Sequence, residues 1–175
     1  MEKSLNDSVI KSFQVAQVFP ESSTSSDFSL DFDFSGQFCL SSNSKDTLHL
    51  YDCKLGKLKS TSYSKKYGCK LARFTHKSNN IIYASTLVDD AIRYMSFHDN
   101  KFIRYFKGHT KQVSALEMSP QEDMFLSASL DHSIRLWDLR SPNCQVLYMM
   151  FMSSLGSYEC SQRRSVACES SVHCI

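Results

Sequence analysis

Several features that would restrict the fold are scarce in this 175-residue chain. It has only 5 Gly and 3 Pro, which excludes a collagen-like or Gly/Pro-rich low-complexity protein. Its longest apolar run, residues 146–152, is far shorter than the roughly 20 residues that a membrane-spanning helix needs. Residues 1–7 lack the apolar core of a secretory signal peptide. We therefore expect a soluble, intracellular protein without membrane contacts.

Neither sign of charge dominates, and paired cysteines are absent. The 20 Lys+Arg and 18 Asp+Glu leave a net charge of +2, whereas dedicated nucleic-acid binders are strongly basic, so direct nucleic-acid binding is not expected. The 7 Cys form no C-x-x-C pair, which favours reduced thiols. Zinc bound by Cys160, Cys168, His173 and Cys174 is disfavoured, because structural zinc prefers ligand pairs two to four residues apart.

Signatures of catalysis are missing too. The chain contains no H-E-x-x-H, G-x-S-x-G, P-loop or G-x-G-x-x-G pattern. We therefore predict a protein that is not an enzyme and that needs no cofactor and no metal.

What the chain does contain is period-2 alternation and an internal repeat. Apolar and polar residues alternate over residues 28–34, 47–51 and 133–136, which is typical of β-strands with two different faces. Three segments share one pattern: residues 45–52, 89–96 and 131–138. Each is surrounded by three further short apolar segments, and the period of 42 to 44 residues is that of a four-stranded propeller blade.

The third unit resembles a WD40 repeat. It contains Gly108-His109 and ends in Trp137-Asp138. The resemblance implies an all-β, partial WD40 β-propeller with about three four-stranded blades of a seven-bladed family fold. It also implies a hydrogen-bonded tetrad within this blade, formed by His109, Ser127, Asp131 and Trp137. The first two units lack Gly-His and carry Lys45 and Met95 at tetrad positions, so we expect weaker or absent tetrads there.

A narrower resemblance covers about residues 5–145. Residues 63–68, 89–106 and 134–144 are similar to the WD-repeat subunit of Set1-type histone methyltransferase (COMPASS) complexes, the WD-repeat-82 group. This resemblance implies a nuclear, chromatin-associated scaffold for histone H3 lysine-4 methylation that is linked to transcription elongation and termination. The implied partners are subunits of the methyltransferase complex, the RNA polymerase II tail and a phosphatase complex.

The sequence also predicts a division of the chain. Residues 1–145 hold the three blades and a ring-closing strand at 12–19. Residues 146–175 contain no Asp, Lys, Thr, Asn or Pro, and this change of composition predicts a divergent, disordered tail.

Five basic residues are candidates for contacts with partners: Arg140, Lys65, Lys66, Arg93 and Arg104. The first belongs to a W-D-x-R motif that resembles substrate receptors of cullin-4 ubiquitin ligases, which leaves an adaptor for protein degradation as an alternative function. A second alternative is an inactive truncated fragment, because three blades outside a closed ring expose two apolar faces.

Overall fold

A computed structural model of the chain describes residues 6–15, 17–19, 26–152 and 158–163. A short helix, α1 (Asp7–Lys11), begins after Asn6, whose Oδ1 accepts a hydrogen bond from the Val9 N–H at 3.0 Å. The other elements of the described residues are strands in three antiparallel sheets, which we number as blades 1, 2 and 3. None of the described helices is long and apolar enough to cross a membrane.

Each blade contains four strands, or five in the last, that follow one another in sequence order. Blade 1 contains β1 (Asp27–Phe32), β2 (Phe38–Asn43), β3 (Thr47–Asp52) and β4 (Lys57–Tyr63). Blade 2 contains β5 (Lys70–Phe74), β6 (Asn80–Ala84), β7 (Ile92–Ser96) and β8 (Lys101–Phe106). Blade 3 contains β9 (Val113–Met118), β10 (Met124–Ser129), β11 (Ser133–Asp138), β12 (Cys144–Met152) and β13 (Tyr158–Arg163).

Three hairpin turns have residues other than glycine at positions with a positive φ angle. Asp46, Asn100 and His132 have φ values of 58°, 50° and 62°, in the left-handed region of the backbone map. Asp, Asn and His are the non-glycine residues that adopt this region most readily. The turns between β2 and β3, β7 and β8, and β10 and β11 therefore close without glycine.

Period-2 alternation lets blade 2 bury both of its faces. Ile81 and Tyr83 of β6 pack towards blade 1, whereas Ile82 and Ala84 pack towards blade 3. Two cores result, one at each boundary between blades. The first contains Leu40, Leu48, Leu50, Cys69, Ala72, Phe74, Ile81, Tyr83, Met95 and Phe97, and the second Ile82, Ala84, Ile92, Tyr94, Phe106, Val113, Leu116, Phe125, Trp137 and Leu139.

Polar contacts join the first strands of neighbouring blades. Ser29 Oγ accepts a hydrogen bond from the Ala72 N–H at 2.9 Å, and Asp31 Oδ2 accepts one from the Phe74 N–H at 2.8 Å. Between blades 2 and 3, Arg73 Nη2 lies 2.7 Å from Glu117 Oε1. The two bonds from blade 1 occupy backbone donors at the edge of β5 that does not pair with β6.

The outer faces of the two end blades carry exposed apolar side chains. Leu30 and Phe32, which alternate with Ser29 and Asp31 on β1, are 58% and 56% exposed. On blade 3, Leu126 is 46% exposed. Blade 2 has a neighbouring blade on each of its faces. Within the described residues, the outer faces of blades 1 and 3 have no such neighbour.

The closing strand predicted at 12–19 has no counterpart among the residues that the structure describes there. Residues 12–15 and 17–19 are not in a strand, and Phe13 and Val15 are 69% and 82% exposed. A strand forms only where a neighbour takes up its backbone hydrogen bonds, and none of the described strands pairs with this segment. The ring of Phe19 instead lies with its centroid 4.6 Å from that of Tyr51.

Strand β12 crosses the predicted boundary at residue 145. It pairs with β11 from Trp137–Cys144 to Ser133–Met149 and supplies the fourth strand of blade 3, and β13 pairs with it in turn. The apolar run at residues 146–152, which the change of composition had placed in the predicted tail, therefore suits a strand beside β11. Residues 153–157 and 164–175 of the predicted tail lie outside the described residues.

Candidate functional site

The four predicted tetrad residues meet inside blade 3. Trp137 Nε1–H donates a hydrogen bond to Ser127 Oγ at 2.8 Å. The Ser127 hydroxyl lies 2.7 Å from His109 Nε2, and His109 Nδ1 lies 3.0 Å from Asp131 Oδ2. The side chain of His109 is 1% exposed and that of Asp131 is 7% exposed. The structure thus joins the loop before β9 to strands β10 and β11.

A neutral imidazole satisfies every hydrogen bond of the tetrad. With its proton on Nδ1, His109 donates to Asp131 and accepts from Ser127 at Nε2, while Ser127 accepts from Trp137. Burial lowers the pKa of His109, and the hydrogen bond with Asp131 offsets only part of that effect. Burial would raise the pKa of Asp131, but hydrogen bonds from Ser133, His109 and the Thr110 N–H outweigh it and hold that pKa well below its usual value.

The tetrad has the same order of groups as a catalytic Ser-His-Asp triad, but it cannot present a nucleophile. In a triad, the hydroxyl must reach a substrate and an oxyanion site must lie beside it. Ser127 is 1% exposed, and its oxygen already accepts the Trp137 N–H. The ring of Trp137 is itself packed against Phe125 and Phe106. The geometry of these groups is that of an internal connection.

Blade 2 replaces the tetrad with an arginine. Met95 stands where blade 3 has Trp137, and the guanidinium of Arg93 takes over the polar contacts. Arg93 Nε donates to Ser85 Oγ at 2.7 Å, and Nη2 lies 2.9 Å from both carboxylate oxygens of Asp89. The guanidinium also lies 3.6 Å from the ring centroid of Tyr67.

Blade 1 uses a third network. Asn43 Oδ1 accepts hydrogen bonds from the Lys45 N–H at 3.1 Å and the Thr47 N–H at 3.2 Å. His49 Nδ1 lies 3.0 Å from Thr61 Oγ1 on β4, and its Nε2 lies 3.2 Å from Thr47 Oγ1. Blades 1 and 2 therefore lack the tetrad as a set of residues, but other polar side chains connect their strands.

The structure separates the five basic candidates. Arg93 is 3% exposed and held by Asp89, so its prediction as a surface contact residue is wrong. Lys65 and Lys66 are exposed in the loop after β4, where their ammonium groups lie 5.7 Å and 5.1 Å from the ring centroids of Tyr63 and Tyr67. These two lysines do not share a site with Arg140.

Arg104 and Arg140 line one groove between blades 2 and 3, with a volume of about 350 Å³. Arg140 donates through Nε and Nη2 to the carboxylate of Asp138 at 2.9 Å and 2.8 Å, and its side chain is 77% exposed. The Nε of Arg104 is buried and has no hydrogen-bond partner among the described residues. Lys77, Asn80, Tyr94, Ile103 and Leu139 complete most of the lining.

Within the residues that the structure describes, no three His, Cys, Asp or Glu side chains are grouped so that they could hold a metal ion. The side chains of Cys160, Cys168, His173 and Cys174 are not among those described.

Residues 100–138 match the family model "WD domain, G-beta repeat". The chain contains a WD40 repeat. That repeat runs from the β7–β8 turn to the end of β11, and it includes all four tetrad residues. Together with the three antiparallel sheets, it makes the described fold a partial WD40 β-propeller.

Three curated relatives carry names that agree with the narrower resemblance. WD repeat-containing protein 82 of Drosophila melanogaster is 49% identical over 159 residues, which are 91% of this chain and 50% of that protein. Set1 complex component swd2 of Schizosaccharomyces pombe is 55% identical over 119 residues, 68% of this chain and 33% of that protein. COMPASS component SWD2 of Saccharomyces cerevisiae is 44% identical over 131 residues, 75% and 40% respectively.

Two consequences follow from these alignments. This chain spans between a third and a half of the length of those relatives. The similarity to the Drosophila protein covers 91% of this chain, so it extends beyond residue 145, the predicted end of the resemblance. That extension agrees with the position of β12 as the fourth strand of blade 3.

Sequence reasoning missed the groove and the arginine network of blade 2. The groove is lined by residues of the β5–β6 and β9–β10 turns, of strands β6, β7 and β8, and of the segment after β11, which are far apart in the sequence. The network did leave a signal, since Arg93 lies in the middle of a strand pattern with apolar neighbours on both sides.

Proposed function

We propose that this chain is a non-enzymatic scaffold subunit of a Set1-type histone H3 lysine-4 methyltransferase complex, and that it acts in the nucleus. The observation that carries the proposal is the 44–55% identity to proteins named as Set1 and COMPASS components, over 68% and 75% of this chain. Such a subunit acts by positioning other proteins on its loops and faces.

The buried tetrad supports the non-enzymatic part of the proposal. The most catalysis-like arrangement of the described residues is enclosed within blade 3, and its hydroxyl is already bonded to Trp137 and His109. Contacts with the RNA polymerase II tail or a phosphatase complex belong to the same proposal and rest on the family resemblance.

An affinity capture tests this function directly. The full chain, carrying an affinity tag, is incubated with nuclear extract, and the captured proteins are identified by mass spectrometry and assayed for methyl transfer to a histone H3 peptide. We expect the Set1-type catalytic subunit and methyl transfer at lysine 4. Recovery of neither would contradict the proposal and leave the inactive-fragment alternative.

The degradation alternative is favoured by one observation, the 77% exposure of the Arg140 side chain in the W-D-x-R motif. Arg140→Ala serves as the matched variant, because this side chain is largely exposed and pairs with the neighbouring Asp138. If the wild-type chain captures cullin-4 ligase adaptors and the variant does not, the adaptor function replaces the scaffold function.

A further inference from the structure

We propose that the groove between blades 2 and 3 binds a segment of a partner protein through an Asp or Glu side chain of that segment. The groove is defined by Arg104, Arg140, Lys77, Tyr94, Ile103 and Leu139. This inference does not depend on which complex the chain joins.

Arg104 provides the first argument. Its Nε–H is buried without an acceptor among the described residues, and a buried donor without an acceptor is energetically unfavourable. A guanidinium matches a carboxylate better than any other protein group does, because its N–H groups can donate in parallel to both oxygens. Arg104 also lines the groove, so a carboxylate that enters the groove can pair with this guanidinium.

Two further donors line the same groove. Arg140 uses Nε and Nη2 for Asp138, which leaves Nη1 for a ligand. The hydroxyl oxygen of Tyr94 accepts a hydrogen bond from Asn80 Nδ2 at 2.8 Å, so that its own O–H can donate to another acceptor. Both groups favour an acceptor, as Arg104 does.

The balance of charge limits the ligand to a weakly charged anion. Lys77, Arg104 and Arg140 are positive, whereas Asp123 in the lining and Asp138 below Arg140 are negative. The site therefore has one net positive charge, which one carboxylate neutralises. A phosphate with two charges would instead leave the site with a net negative charge.

The shape of the groove favours a peptide over a free ion. A volume of about 350 Å³ is much larger than one carboxylate needs. Ile103, which is 47% exposed, and the largely buried Leu139 and Tyr94 provide apolar walls. An aliphatic side chain next to the acidic residue would cover them, as is usual where peptides dock on a preformed cleft.

A peptide selection tests the proposal. A phage library of random twelve-residue peptides, fused at their C-termini to the coat protein so that only side-chain carboxylates are offered, is selected on the full chain. We expect enrichment of peptides with Asp or Glu beside an aliphatic residue. Absence of enrichment, or enrichment without an acidic preference, would overturn the proposal.

Variants locate the binding. An enriched peptide labelled with fluorescein should bind Arg104→Gln at least tenfold more weakly by fluorescence anisotropy, and Lys101→Gln, an exposed lysine on the same strand, should leave binding unchanged. Replacing the peptide's acidic residue by its amide should cause a similar loss.

Arg140→Ala keeps the test decisive if Arg104→Gln fails to fold. It should weaken the same peptide severalfold without changing the urea midpoint. Equal binding to wild type and to both folded variants would overturn the proposal. So would a labelled uridine decanucleotide that binds in the groove in place of acidic peptides.

Discussion

Blades 2 and 3 hold equivalent strands together with different chemistry. In blade 3, the neutral His109 links Ser127 and Trp137 to Asp131. In blade 2, the cationic Arg93 links Ser85 to Asp89. The comparison shows that the acidic residue after the second strand, Asp131 or Asp89, can pair with a neutral imidazole or with a guanidinium. The tetrad of blade 3 depends on the protonation of His109, whereas Arg93 in blade 2 stays protonated at any pH of interest.

The largest expected difference comes from removing the aromatic centre of blade 3. Trp137 is fully buried, so Trp137→Ala leaves a large cavity and should lower the free energy of unfolding by about 3–5 kcal/mol. Urea unfolding followed by circular dichroism measures the change. Trp137→Phe keeps a ring but loses the bond to Ser127, and it should cost only about 1–2 kcal/mol. Equal losses in both variants would show that packing contributes little.

Next in size is the removal of the cation from blade 2. Arg93→Met leaves Ser85 without its donor and Asp89 without its counterion, and we expect a loss of about 2–3 kcal/mol. Arg93→Lys keeps the charge but not the planar fork or the stacking on Tyr67, so it should fall between wild type and Arg93→Met. A stability of Arg93→Met equal to that of wild type would mean that the arginine does not replace the tetrad.

A smaller effect distinguishes the two blades by pH. Folding lowers the pKa of His109, so the unfolded chain binds its proton more readily. The contribution of this group to the free energy of unfolding is complete above its ordinary pKa of about 6.5 and is lost as the pH falls from there to the lower pKa of the folded state. Asp131, whose folded pKa is also lowered, adds a further loss below its ordinary value of about 4.

The variant His109→Gln isolates the contribution of His109 to this pH dependence. His109→Gln should be less stable at pH 7.5 than wild type by about 1–3 kcal/mol, and it should lose less stability than wild type between pH 7 and pH 5.5. Urea midpoints at three pH values measure both differences. A wild-type midpoint that rises as the pH falls through this range would contradict the neutral tetrad.

The smallest effect is expected at the rim. Arg140 is exposed and paired with a neighbouring carboxylate, so Arg140→Ala should leave the urea midpoint unchanged. A clear loss of stability would show that this arginine supports the end of β11 and would remove it as a neutral variant for the binding experiments.

The sequence alone predicted those features that depend on a pattern of residues within one blade. Period-2 alternation predicted strands over residues 28–34, 47–51 and 133–136, and each lies within two residues of β1, β3 or β11. The resemblance to a WD40 repeat implied contacts among His109, Ser127, Asp131 and Trp137 that the structure contains. Prediction from the sequence failed where residues distant in the chain decide whether a side chain is buried. Arg93 is buried because the ring of Tyr67 stacks on its guanidinium and Ser85 and Asp89 bind it, and its charge alone did not indicate this.

The ends of the three-blade segment show the same limit. Composition predicted a disordered tail from residue 146, but pairing with β11 makes residues 146–152 a strand. Alternation predicted a strand at 12–19, but without a partner strand among the described residues that segment is not one. A strand depends on its neighbour as much as on its own residues, and the neighbour is not part of the local pattern.

The single tryptophan offers the most direct test of the central claim, which is that blade 3 is a packed blade held by the tetrad around Trp137. We would record the fluorescence of Trp137 through a urea titration of the full chain at pH 7.5, with light scattering in parallel. The account predicts a blue-shifted starting emission and one steep transition without aggregation. A red-shifted emission that drifts without a transition would contradict it.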